Sequence, residues 1–128
     1  MNAPVRFLFV DDDEQILRAL SRLLHKEGFE LHLLGDPVEA IAMIETKKIE
    51  VIVCDHVMPV MTGLQVLSEV KARHPKVIRV LASGSLERES TDGERCVDRF
   101  LEKPWFAEDL RRELHDLASL VITQRLAE

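Results

Sequence analysis

Cysteine is scarce in this chain of 128 residues. There are two, Cys54 within an apolar run and Cys96 near another. That usage points to reduced thiols in a cytosol rather than to a disulfide framework. Long hydrophobic runs are also missing. No apolar stretch reaches the ~20 residues needed to span a bilayer, and the first residues carry no signal-peptide pattern. Positive charge is short too: 17 Lys and Arg face 23 Asp and Glu, a formal net charge of −6. Phosphate contacts need clustered Lys and Arg, so this balance argues against a nucleic-acid surface. The histidines, His25, His32, His56, His74 and His115, share no metal-ligand spacing and read as surface residues. There are no internal repeats and no low-complexity segments. What remains is 46% hydrophobic and 31% charged. One globular domain is expected, soluble and cytoplasmic, with room for a core.

What the chain does have is a set of short apolar runs, each ending in polar residues. Phe7-Leu8-Phe9-Val10 leads into Asp11-Asp12-Asp13, and Val51-Ile52-Val53-Cys54 leads into Asp55. The run from Val77 to Ala82 ends at Ser83-Gly84, and Phe100-Leu101-Glu102 leads to Lys103-Pro104. Runs of this kind read as buried parallel strands. In an open α/β sheet the ligand site lies outside the carboxyl ends of the strands. These polar residues are therefore expected in one crevice, with carboxylates facing a hydroxyl and an ammonium. Crowded carboxylates repel unless a cation sits among them, and hard oxygen ligands favour Mg²⁺. Such a crevice suits a phosphoryl group.

Helical patterns alternate with the strands. Ile16, Leu17, Leu20, Leu23 and Leu24 share one face of a helix over Gln15 to Lys26, stopped by Gly28. Asp36-Pro37 caps and opens a helix that runs to about Thr46. A third helix spans Gly63 to Arg73, with Leu64, Leu67 and Val70 inward and Pro75 beyond its end. Leu86 to Arg95 is the least regular segment, and its Ser90-Thr91-Asp92-Gly93 predicts a short, distorted or mobile helix. A long helix is expected from near Trp105, with Phe106, Leu110, Leu114, Leu117 and Val121 at helical spacing. Alternating units of this kind give a parallel sheet covered by helices on both faces.

The same residues carry a family resemblance. Asp11-Asp12, Asp55, Ser83 and Lys103-Pro104 stand in the order and spacing of a receiver domain of two-component response regulators. Asp55-His56-Val57-Met58-Pro59-Val60-Met61-Thr62-Gly63 also fits that family's D-x-x-M-P-x-M-x-G pattern. The chain resembles the family over residues 5 to 118. The resemblance implies a flavodoxin-like, doubly wound five-stranded sheet of order 2-1-3-4-5. It implies Asp55 as the phosphoacceptor, served by a sensor histidine kinase or phosphotransfer protein. It also implies Mg²⁺ held by Asp12, Asp55 and the backbone carbonyl of Val57, with Asp11 acting through water. Ser83 and Lys103 are then the phosphoryl-binding pair, Phe100 the switch aromatic, and Lys103-Pro104 a cis peptide. Such a domain is not an enzyme beyond its own phosphotransfer and slow dephosphorylation. Arg99 to Trp105 resembles the R-F-L-x-K-P-W variant, which often precedes a separate output domain.

This sequence departs from the commoner pattern in places. Ser83 stands where Thr is more frequent, which keeps the hydroxyl and loses a methyl. Val57 is apolar where some members carry a polar group, and Ser85 occupies another position that tunes dephosphorylation. Plainer readings exist beside these roles. One of Asp11, Asp12 and Asp13 caps the first helix, Phe100 serves equally as packing, and Trp105 reads as a packing residue. Two other functions fit part of the pattern. One is a Mg-dependent phosphohydrolase resembling the haloacid dehalogenase family, with Asp11 and Asp13 as its pair; the other is a pseudo-receiver that only binds partners. Residues 1–118 are read as the domain and 119–128 as an extension of the last helix. Leu120, Ile122 and Leu126 make that extension apolar, suited to a homodimer or to a lead into an output domain.

Overall fold

The computed structural model describes residues 3–84 and 96–127. Ser85 and the irregular segment from Leu86 to Arg95 lie outside the described residues. Five strands, β1 (Arg6–Val10), β2 (Glu30–Leu34), β3 (Val51–Asp55), β4 (Ile78–Ser83) and β5 (Arg99–Glu102), form one parallel sheet of order β2-β1-β3-β4-β5. The helices are α1 (Glu14–Leu24), α2 (Ala40–Lys47), α3 (Gly63–Arg73) and α4 (Ala107–Ala127). The expected topology is the observed one.

Strand alternation divides the core into two layers. Phe7, Phe9, Val51, Val53, Val80, Ala82 and Leu101 face one way and meet Leu20 and Leu24 of α1. Leu110, Leu114, Leu117 and Val121 of α4 close that layer. Leu8, Val10, Ile52, Cys54 and Leu81 face the other way, against Ala40 and Ile44 of α2 and Val66, Leu67 and Val70 of α3. Because β1, β3 and β4 are covered on both faces, they read as largely apolar runs, interrupted in β4 by the buried Arg79. Cys54 and Cys96 are both buried, and neither forms a disulfide.

Element ends follow local chemistry. Asp13 caps α1 by accepting from the Gln15 N–H at 2.9 Å. The helix ends at Leu24, two residues before the expected Lys26, and Gly28 takes φ +86° in the turn beyond. Asp36 accepts from the Val38 N–H at 3.0 Å. The first turn there is a 3₁₀ turn over Pro37–Glu39, which delays α2 to Ala40. A capping box joins Thr62 and Gln65 at the start of α3. The last helix starts at Ala107 rather than near Trp105, so Phe106 lies outside it. Phe106 is 75% exposed, not part of the inward stripe that helical spacing suggested.

Two arginines make long-range ties that strand and helix patterns do not reveal. Arg79, 6% exposed, donates to the carbonyls of Cys96 (2.9 Å), Pro75 (3.1 Å) and Val77 (3.0 Å), and pairs with Asp98. Asp98 in turn accepts from the Arg79 N–H at 2.8 Å, so one guanidinium binds the edge of β4 to the approach of β5. Arg79→Met is expected to strand those carbonyls and cost about 3 kcal/mol. A fall of roughly 10 °C in Tm is the corresponding thermal shift. Calorimetry showing an unchanged Tm would remove Arg79 from the account of stability. Arg125, near the end of α4, grips Glu50 through two short bonds (2.7 and 2.6 Å) and donates to the carbonyl of Ala3 at 2.8 Å. Burial alone pushes the Glu50 carboxyl up, but the Arg125 bond and the neighbouring Arg6 outweigh it and hold it below its ordinary value.

Candidate functional site

Each polar residue singled out in the sequence leaves the sheet at the carboxyl edge, where backbone hydrogen bonds continue past the strands. The Asp11 N–H donates to Leu34 O (3.1 Å), His56 N–H to Ala82 O (3.0 Å) and Lys103 N–H to Ser83 O (2.9 Å). The loops therefore start from fixed backbone, and the side chains they carry start from fixed positions.

Lys103 draws the site together. Its Nζ donates to Asp11 Oδ2 at 2.9 Å and to Asp55 Oδ1 at 3.1 Å. Asp11 is buried, and its other oxygen accepts from the Asp13 N–H at 2.9 Å. Asp12 is exposed, yet it offers a carboxylate oxygen within 4.8 Å of oxygens from both Asp11 and Asp55. Three carboxylates thus face one ammonium. Burial pushes the Asp55 carboxyl above its ordinary value; Asp11 and Asp12 add to that, and Lys103 offsets part of it. Burial works against charge on Lys103, but its bonds to Asp11 and Asp55 outweigh this and hold the ammonium above its usual range. The lysine is thereby held in its charged form.

Ser83 closes β4 and is 5% exposed. Phe100 is half-buried on β5, packed toward the layer that holds α2 and α3. The Lys103–Pro104 peptide is cis. Val57 is 78% exposed beside Asp55. His56 is half-buried with its Nδ1 enclosed and without a partner among the described residues, so it is not the surface histidine expected. His32 and His74 are half-buried as well, whereas His25 and His115 are exposed.

The loop from Asp55 to α3 is held tightly. The Gly63 N–H donates to His56 O at 2.9 Å, and a Cβ on Gly63 would run into Asp55 O and lie 2.9 Å from His56 Cα. Only glycine lets the backbone of α3 approach the end of β3 and the loop after it so closely. Between them Val60 has φ +74°, and Met61 N–H donates to Pro59 O at 2.9 Å. This is a γ-turn centred on a β-branched residue, a strained arrangement. Trp105 packs against the core as its apolar character suggested, and its ring centroid also lies 5.7 Å from Lys103 Nζ, a contact that motif reading does not reveal.

An acidic crevice with one lysine, set at the carboxyl edge of a doubly wound parallel sheet, defines a small class of phosphoryl-handling α/β domains. The response regulator receiver domain family matches residues 7–115, and the chain belongs to that family. Among curated proteins it is 33% identical over 106 residues to the hydrogenase transcriptional regulatory protein HoxA of Cupriavidus necator, covering 80% of this chain and 22% of that protein. It is 32% identical over 116 residues to response regulator MprA of Mycobacterium sp. strain KMS, covering 89% and 50%. The chain thus spans half or less of these relatives' lengths. In fold it is similar to the signal receiver domain of an HD domain-containing protein from Pseudomonas fluorescens Pf-5 (TM-score 0.87, 24% identity, 98% and 94% covered). The dehalogenase-like alternative gains no support from the geometry. Asp13 is spent on capping α1, and Lys103 bridges Asp11 to Asp55 rather than to Asp13. No described helix is long and apolar enough to cross a membrane.

Proposed function

We propose that Asp55 accepts a phosphoryl group from a phosphohistidine on a sensor histidine kinase or phosphotransfer protein. The phosphorus–nitrogen bond of the donor breaks as a bond forms from phosphorus to an Asp55 oxygen, and the electron pair leaves with the imidazole. No proton has to move on the acceptor side, so placement and charge neutralisation do the work. The observation that carries this reading is the Lys103 ammonium 3.1 Å from Asp55 in an acidic crevice. Lys103 would follow the transferred charge, and the Ser83 hydroxyl would donate to a phosphoryl oxygen.

The donor set suits Mg²⁺: all-oxygen ligands within 4.8 Å of one another, more negative charge than one lysine offsets, and Asp12 open to solvent. Asp12, Asp55 and the Val57 backbone carbonyl would hold it, with Asp11 acting through water. A bound Mg²⁺ supplies positive charge against the phosphoryl oxygens. Once Asp55 is modified, Ser83 would draw toward it and Phe100 would turn inward, changing the face formed by β5 and α4. The domain would act in the cytoplasm. The greater length of its relatives supports an output domain joined to α4. The exposed Leu120 and Leu126 on α4 support a homodimer paired through that helix.

Incubation with acetyl phosphate and Mg²⁺, followed by intact-mass measurement, tests this. The expected result is one stable phosphoryl adduct. Phosphate release with many turnovers would favour a phosphohydrolase, and an unchanged mass would favour a domain that only binds partners.

A further inference from the structure

We propose that Trp105, the one tryptophan of the chain, is a positioning residue for Lys103. Its Nζ lies 5.7 Å from the ring centroid, within the ~6 Å over which an ammonium is drawn to an aromatic face. The ring is anchored independently of the lysine: Trp105 is half-buried and packs against the layer that holds α1 and α4. It also lines a groove of about 570 Å³ between β5 and α4, beside Pro104, Phe106 and Leu110.

The need for such a support follows from the chemistry. Lysine has a flexible four-carbon stem whose ordering is entropically costly. In the resting site Asp11 and Asp55 accept hydrogen bonds from its ammonium. When Asp55 becomes an acyl phosphate, its carboxylate no longer exists in that form, and the ammonium must be retained while the charge moves outward. The indole offers attraction that does not depend on the charge of Asp55. It leaves the ammonium free to slide, because a ring face fixes no single hydrogen-bond direction. The tryptophan thus acts through Lys103 and does not touch the reacting atoms.

This inference rests on Asp55 being the acceptor, and the test separates the two. Adduct formation with acetyl phosphate and Mg²⁺ is timed for the wild type, Trp105→Phe and Trp105→Leu, with Tm recorded for each. Trp105→Leu is expected to slow phosphorylation about fivefold, the size of a partly desolvated cation–π contact, while Trp105→Phe stays within about twofold. Equal rates for all three, or equal losses for Phe and Leu at matched Tm, would overturn the positioning role. A second measurement needs no phosphotransfer. Lys103→Met in the unphosphorylated chain is expected to change the emission spectrum of Trp105, and superimposable spectra would overturn the contact. A wild type that forms no adduct would instead count against the acceptor assignment, with the fluorescence result still deciding the contact.

Discussion

Asp55→Asn folds, keeps its Tm or gains slightly, and takes up no phosphoryl mass from a phosphodonor that labels the wild type. The amide matches the carboxylate in shape and can still accept from Lys103, which lies 3.1 Å from Asp55 Oδ1. It has no negative oxygen to attack phosphorus, so labelling should vanish rather than weaken. The effect on stability has a definite sign. Asp55 has a raised pKa in the folded state, first through burial and then through Asp11 and Asp12. A raised carboxyl binds its proton more tightly folded than unfolded, so stability is lost as pH climbs from the unfolded pKa through the folded one. Without divalent cation, the advantage of Asn should grow across that interval, stay flat above it and disappear in stronger acid. A phosphoryl adduct of wild-type stoichiometry on the Asn variant would place the acceptor elsewhere.

Gly63→Ala is expected to damage the domain by about 3 kcal/mol, a large part of the stability of a chain this size. The added methyl would collide with Asp55 O and stand 2.7 Å from Leu81 Cδ1 and 2.9 Å from His56 Cα. Two of these neighbours are backbone atoms at the end of β3 and cannot swing aside. Either α3 backs away from β3 or Asp55 moves, so the same substitution should lower the phosphorylation rate at temperatures where the variant is still folded. Urea midpoints and adduct rates at 10 °C measure the two parts. A Gly63→Ala chain with wild-type values for both would mean that the loop yields far more easily than its packing implies.

The strands and the acidic crevice were legible because their signals are local. Runs of Val, Ile, Leu and Phe end in Asp, Ser or Lys, and a parallel sheet places all those ends on one edge. Asp11, Asp12, Asp55 and Lys103 could be brought together from order alone. Other features depend on what lies across space. Nothing near Gly63 in sequence reveals that a Cβ there would meet the carbonyl of Asp55. Arg79 sits inside an apolar run, and its burial makes sense only beside Asp98 and the carbonyls of Pro75, Val77 and Cys96. Phe106 departs from the helical spacing for a simpler reason: residues 103–106 form the turn between β5 and α4, where that periodicity does not apply.

The grip of Arg125 on Glu50 and on the carbonyls of Ala3 and Pro4 has an architectural result. Residues 3–4 and residue 125 meet at a single corner, held by one guanidinium. Glu50 stands just before β3 and Asp55 at its far end, so that corner and the crevice are separated by the length of a strand, roughly 17 Å. Residues 3–4 and 125 therefore lie at the end of the sheet opposite the crevice. Any segment joined at that corner would start a strand's length away from whatever binds at the crevice, so its length would not decide access to the site.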